Sequence, residues 1–357
     1  MLMLLDCPPR RILRRFWPLP LPPAGTFDGK TVLIVGGTSG IGLAAAVHFA
    51  TLSANVIITY RVASRGEAAK RHIENKVGSA HKGRISSLML DMERYDSCTN
   101  FVDELKRTIP GPEGLDVAIL NAGMINSHYE QSPEDWEKTI QVNTISTTLV
   151  GLLLSEWMRS GRDQRSSPAH LIFVTSRDHL YPDIRQFARW AETKEGILRQ
   201  VSSKENWLGV LETEPNYANS KLLVMYTIEE ISKRALGPGG EPLVIVNSLC
   251  PGLVRTGIGR NIASRSWFLK AVIYVYLAVV AKSPDHGSRF CVTVALKPKE
   301  NHGEFFNFWL TANQYHKHAV KNVTSGTARE IQKLVWKDVI GELRARLPRL
   351  QTELIAI

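Results

Sequence analysis

Cysteine is scarce: Cys7, Cys98, Cys250 and Cys291 are the only four in 357 residues, far apart and in no C-x-x-C pair. That excludes a disulfide scaffold and a Cys/His zinc site, and no metal is expected. It fits a reducing compartment, taken here as the cytoplasm. No apolar run reaches the ~20 residues of a membrane helix. The best candidate, Trp267 to Ala281, is roughly half to two-thirds of that length and is interrupted by Lys270. No solenoid-length repeat and no Gly/Ser-rich linker divides the chain.

Met1 to Leu5 is apolar, but Asp6, two prolines and the pairs Arg10-Arg11 and Arg14-Arg15 follow at once. A secretory signal has the opposite order. Residues 1–25 are therefore read as a basic, Pro-rich extension, disordered or lying along the surface. One domain is expected over residues 26–325, with a helical tail over 326–357. The formal net charge is +10. The basic residues are dispersed, however, and no zinc-finger spacing or aromatic RNA-binding signature accompanies them, so nucleic acid is not an expected partner. A basic surface with some attraction for phosphate-bearing ligands is the plainer reading. Weak, peripheral contact with a membrane surface is left to the extension and the Trp267–Ala281 segment.

What the chain does contain is an alternation. Thr31 to Gly36 is a nearly continuous apolar run ending in glycine, as a strand buried on both faces requires. An Ala-rich helix is expected over Ile41 to Leu52, a strand over Asn55 to Thr59 and an amphipathic helix over Ala63 to Val77. Further strands are read at Ile85–Leu90, Leu115–Leu120, Ala169–Val174 and Leu243–Leu249, with helices at Pro133–Arg159 and Asn216–Arg234. Strands alternating with helices give right-handed β-α-β units, hence a doubly wound α/β fold with a parallel sheet. Ligands on such sheets lie outside the carboxyl ends of the strands.

Chemistry-bearing residues fall at those ends. Gly36-Gly37-Thr38-Ser39-Gly40-Ile41-Gly42 sits between the first strand and first helix. Its glycines let the backbone approach a pyrophosphate, and the helix N-terminus offers N–H groups and partial positive charge. At the end of the second strand, where an acid would select NAD, stand Tyr60 and Arg61. An arginine pairs with the 2′-phosphate of NADP. Asp91 after the third strand suits the adenine amino group, or a turn cap before Glu93. Tyr217-Ala-Asn-Ser-Lys221 puts a phenol and an ammonium one helical turn apart, where the cation favours the phenolate and pulls its pKa toward neutrality. Leu120-Asn121-Ala122-Gly123, Val142-Asn143, Val174-Thr175-Ser176 and Cys250-Pro251-Gly252-Leu253-Val254-Arg255-Thr256 complete the series.

Together and in this order these motifs resemble the short-chain dehydrogenase/reductase family, in its single-domain, Rossmann-type branch, over roughly residues 28–310. The resemblance implies a sheet of about seven strands and a Ser-Tyr-Lys-Asn tetrad. Tyr217 would be the general acid/base, and Ser176 would orient the substrate oxygen. Lys221 would lower the tyrosine pKa and bind the nicotinamide ribose, and Asn143 would hold a relay water. Gly36, Thr38, Gly40, Ile41, Gly42, Arg61, Asp91, Asn121, Val254 and Thr256 would line the cofactor with Tyr217 and Lys221. The implied reaction is hydride transfer between NADP(H) and a carbonyl or alcohol. A homodimer through two long central helices is the family default.

Three departures stand out. The residue adjacent to Ser176, where the family has a serine, is Thr175, so Ser176 is the better hydroxyl candidate and Thr175 the second. Val35 occupies a position where the family more often has threonine, which removes a supporting hydrogen bond. The approach from Ser176 to Tyr217 is unusually long, and its insert, residues 177–214, carries His179, Tyr181, Phe187, Trp190 and Trp207. Long inserts at a sheet's carboxyl edge shape binding sites. The insert and a lid over 255–282 are thus expected to wall a pocket for a bulky, apolar small molecule. His179 is read as a satisfied loop histidine sooner than as a further base. These features look like the retinol-dehydrogenase-like and fungal secondary-metabolism members. A catalytically idle cofactor-binding scaffold, and a double-bond reductase or epimerase on the same fold, stay open as alternatives.

Overall fold

The computed structural model describes residues 17–78, 83–109, 114–208, 216–257 and 281–350. The expected lid lies outside these apart from its two feet, as do residues 209–214 of the insert and the ends of the extension and tail.

The β-branched runs form β1 (Thr31–Val35), β2 (Asn55–Tyr60), β3 (Ile85–Met89), β4 (Val117–Leu120), β5 (Ala169–Val174), β6 (Val244–Cys250) and β7 (Phe305–Asn307). They pair in parallel in the order β3-β2-β1-β4-β5-β6-β7. Val32 of β1 faces Val56 on one side and Val117 on the other. The chain winds outward from β1 to β3, then returns to β4 on the other side. The loops after β1 and β4 therefore diverge and open a crevice at that reversal.

Side chains along β1 alternate between two cores. Leu33 and Val35 enter one, Val32 and Ile34 the other. Helices α1 (Gly40–Thr51) and α2 (Ala63–Val77) cover the second. The first is covered by α3 (Tyr95–Thr108), by α4 (Lys138–Ile140), and by α5 (Thr147–Ser160). A π-helical stretch, Gln141–Ser146, links α4 to α5 and holds Asn143. The helix expected from Pro133 starts only at Lys138, because Ser132 N–H bonds the Trp136 carbonyl (2.7 Å) in a turn around Pro133.

The insert is largely ordered structure. A 3₁₀ turn (Arg177–Leu180) precedes α6 (Ile184–Ala191) and α7 (Gly196–Ser202); α8 (Asn216–Arg234) follows. Then come α9 (Pro284–Val294), on the second core, α10 (Ala312–Ala319) and the long C-terminal α11 (Gly326–Arg346). Two of the insert's aromatics face no pocket: Phe187 and Trp190 are buried in the main core, ring centroids 5.2 Å apart. Ile184, Phe187 and Trp190 recur at i, i+3 on one face of α6, and α11 packs there. Trp207 is half-buried and Tyr181 exposed. His179 is fully buried and satisfied: its ring nitrogens meet the Ser176 carbonyl (2.7 Å) and the Tyr315 hydroxyl (3.1 Å).

The described part of the N-terminal extension lies along the surface. Leu19 and Leu21 pack on the second core, and Arg289 holds the Leu19 carbonyl (3.1 Å); just beyond the extension, Phe27 stacks edge-on against Phe49. The feet of the lid are joined: Arg255 N–H bonds the Lys282 carbonyl (2.9 Å) and Lys282 N–H the Leu253 carbonyl (3.0 Å). Among the described residues, no helix is long and apolar enough to cross a membrane.

Candidate active site

At the head of α1 the backbone is shaped for close approach. Gly36 has φ +80°, and a Cβ there would lie 2.9 Å from the Ala122 Cα. A Cβ on Gly42 would strike the Gly36 carbonyl and come within 2.6 Å of Asn121 Nδ2. Glycine is thus required by both geometry and space. Asn121 Nδ2 donates to the Gly36 carbonyl (3.2 Å). The support that Val35 cannot give comes from β2 instead: Gly36 N–H donates to Thr59 Oγ1 (2.9 Å). The first turn of α1 carries no acid and Ser39 makes no side-chain cap, so its N–H groups and positive end remain for an anion. Thr38 and Ile41 are half-buried beside it, and Thr256 packs 3.2 Å from where a Gly40 Cβ would stand. Val254, buried, closes the same edge through its bridge to Lys282.

Further along the edge, Arg61 is 60% exposed and its guanidinium meets Glu93 at 2.5 Å. Glu93 is also 3.5 Å from Lys138. Asp91 plays the capping part, accepting the Glu93 N–H (3.0 Å), while its own N–H donates to Ser97 Oγ (2.8 Å).

The four tetrad candidates converge. Ser176 ends the approach from β5, Tyr217 and Lys221 share the first turns of α8, and Asn143 comes from the π-helical stretch. A Cβ on Gly123 would lie 3.3 Å from Asn143 Oδ1 and 3.6 Å from Lys221 Nζ. Small size at Gly123 therefore keeps that space open. Asn143 accepts the Met124 N–H (2.9 Å) and donates to the Met124 carbonyl and Ser220 Oγ (3.0 Å each). Its side chain is thus fully engaged in bracing the loop after β4 against α8.

Electrostatically the site is a buried one. Burial pulls Lys221 down to about 8, against the opposing influence of Asp178 and Cys250. Among the described residues no acceptor is hydrogen-bonded to its ammonium, which lies 5.5 Å from the Tyr217 ring centroid. Burial pushes the Tyr217 phenol above its usual value, with Asp178 and Cys250 adding to the rise and Ser176 opposing it. The expected lowering by Lys221 is therefore not what the chain alone produces, because desolvation of the phenolate dominates.

Three residues here escaped sequence reasoning. Asp178, two positions beyond Ser176, is buried at the centre of the cluster, and its N–H reaches Ser176 Oγ (3.3 Å). Burial raises its carboxyl to about 6, while Arg177, Ser176 and Lys221 act to lower it. Lys282 is buried with its ammonium on the Pro251 carbonyl (2.5 Å) and 2.9 Å from the Phe308 ring centroid. Burial draws it down to about 7. It braces the Pro251–Val254 loop. The third, Glu137, is fully buried and bonds Asn216, the residue before Tyr217 (2.8 Å). For Asp178 the Ser-x-Asp spacing of a local turn was a signal; the other two carried none.

Comparison with known proteins gives the family. The short chain dehydrogenase family model matches residues 30–197. The short-chain dehydrogenase/reductase ffsI of Aspergillus flavipes is 31% identical over 351 residues, covering 96% of each chain. The short chain dehydrogenase yanD of Aspergillus niger is 30% identical, over 91% of this chain and 94% of its own. Among solved structures, the Pseudomonas aeruginosa RhlG/NADP active-site complex superposes with a TM-score of 0.58 at 19% identity. It covers 81% of this chain and all of its own, a likeness of fold.

Proposed function

The chain belongs to the short-chain dehydrogenase family of oxidoreductases, and from that premise we propose that it uses NADP(H) to interconvert a ketone or aldehyde and an alcohol on a bulky, apolar small molecule. A place in secondary metabolism is part of the same reading. What supports it most is the gathering of Ser176, Tyr217, Lys221 and Asn143 at the sheet's carboxyl edge, beside the glycine loop.

The residues present fit a dinucleotide. The open α1 N-terminus and the cradle that a Cβ at Gly36 or Gly42 would fill suit a pyrophosphate. The buried Lys221 ammonium suits ribose hydroxyls. When bound, the nicotinamide supplies the hydride. The Tyr217 phenol gives its proton to the substrate oxygen as charge gathers there, and the Ser176 hydroxyl donates to the same oxygen. Lys221 stabilises the phenolate left behind, and the brace from Asn143 keeps Lys221 beside it. A 2′-phosphate would take the place of Glu93 beside Arg61.

The test is NADPH binding by fluorescence, then NADPH oxidation with a panel of bulky aromatic ketones such as phenanthrenequinone. Tyr217→Phe should lower kcat roughly hundredfold or more while leaving NADPH binding in place. Turnover retained by that variant ends the mechanism, and binding without turnover on any ketone favours a non-catalytic protein. Arg61→Asp should weaken NADPH roughly tenfold to hundredfold and leave NADH nearly unchanged. Equal affinities for the two cofactors in the parent protein end the NADP assignment.

A further inference from the structure

Glu137 is a carboxylate with no solvent exposure, and no lysine or arginine stands among the groups acting on it. Such a group is retained only where donors replace its water. Here they come from two helix starts. Oε2 accepts the Ile140 N–H (3.0 Å) at the head of α4, and Asn216 Nδ2 (2.8 Å) at the head of α8. Oε1 accepts Thr139 Oγ1 (3.0 Å). The Ile140 N–H is one that the start of α4 leaves without an intrahelical partner, so Glu137 caps that end. The Glu137 backbone N–H meanwhile donates to Ser202 Oγ (2.7 Å), the last residue of α7 in the insert.

Asn216 is the residue before Tyr217. It is 2% exposed, its N–H bonds the Leu208 carbonyl (3.0 Å), and its Oδ1 has no partner among the described residues. Burial raises the Glu137 carboxyl, while the hydrogen bonds from Thr139, Ile140 and Asn216 oppose that rise; with the group ionised, the amide turns its NH₂ to it and leaves its own oxygen bare. The first turn of α8 is thus fixed at the expense of a buried acceptor.

We propose that Glu137 is a positioning residue that registers the start of α8, and with it the Tyr217 phenol, against both the Asn143 helix and the insert. The proposal rests on the reading of Tyr217 as the acid/base. Through one carboxylate and one backbone N–H, the insert and the reacting hydroxyl share a joint. A shift at that joint of the order of 1 Å misaligns the proton donor, which costs roughly hundredfold in rate with little effect on cofactor binding.

The experiment is a double-mutant cycle on the full chain, with kcat per NADPH-binding site for phenanthrenequinone reduction, NADPH affinity and thermal midpoint measured for each variant. Asn216→Asp sets two carboxyls against each other, and kcat should fall roughly tenfold to hundredfold at unchanged NADPH affinity. Adding Glu137→Gln restores a donor facing an acceptor, and kcat should return to within about threefold of the parent. Should Asn216→Asp fail to fold, Asn216→Ser removes the bond without adding charge, with roughly tenfold loss expected. Parent-level kcat in the single variants, or a double variant no better than Asn216→Asp, overturns the proposal. A purely structural contact would lower the thermal midpoint with kcat per binding site unchanged, which also overturns it. If Tyr217→Phe keeps its turnover, the acid/base reading falls instead, while the cycle of thermal midpoints still reports whether Glu137 and Asn216 are coupled.

Discussion

At the residue scale, Asp178 carries a pH dependence of definite sign. Burial raises its carboxyl from the ordinary range to about 6, so the folded chain holds a proton that the unfolded chain has released. Between roughly pH 4 and 6 the native state therefore binds more protons than the unfolded state, and stability falls as pH rises. The stabilising proton is present below the unfolded value and lost as pH climbs through the folded one. Two units correspond to about 3 kcal/mol at most. Asp178→Asn should thus be more stable than the parent at pH 8 by roughly 2 kcal/mol, the difference shrinking toward zero at pH 4. Urea unfolding at the two pH values checks this, and a pH-independent difference would refute it. The same charge opposes ionisation of Tyr217, so the variant's rate profile should move to lower pH. Tyr217 and Lys221 were legible because four residues along a helix fix their proximity. Asp178 was half legible: the turn that caps Ser176 is local, but its burial against α8 is made by the rest of the fold. Lys282 and Glu137 depend wholly on such packing, and single residue types at those positions carry no trace of it.

At the scale of elements, the legible parts are those with a strong period or a forced conformation. The run from Thr31 became β1, and the helices read at Ala63–Val77 and Asn216–Arg234 have the observed bounds. Strand ends shifted by one or two residues at β2, β3, β4 and β6, where a residue joins or leaves a ladder. The π-helical turn at Asn143 was not legible, since one extra residue in a turn leaves the apolar pattern almost intact. The insert shows the sharper lesson. Its aromatic content suggested a pocket, yet Phe187 and Trp190 repeat at helical spacing, and α11, more than 130 residues later, supplies the surface they fill. A stripe of apolar residues states that a face is buried and not what buries it.

At the scale of the molecule, that C-terminal helix decides what the chain offers to a second copy. Ile331, Val335, Val339, Ile340 and Leu343 enter the main core, where each buried side chain contributes about 1.5–3 kcal/mol. Glu342 receives the Tyr95 hydroxyl (3.2 Å) and the Trp136 indole N–H (2.9 Å), fastening the helix across the start of α3. Residues 141–155, through the π-helical stretch into α5, are buried within a single chain, as are residues 218–228 of α8, on which α11 packs. Pairing through these central helices would need a self-complementary face of several hundred Å² on each copy, and none is exposed there. Displacing α11 to make one would first unpack the core it completes. A dimer paired through these two helices is therefore not expected, and cross-linkers placed on α8 should join no two copies at micromolar concentration. Cross-links between α8 helices would show instead that α11 yields to a partner.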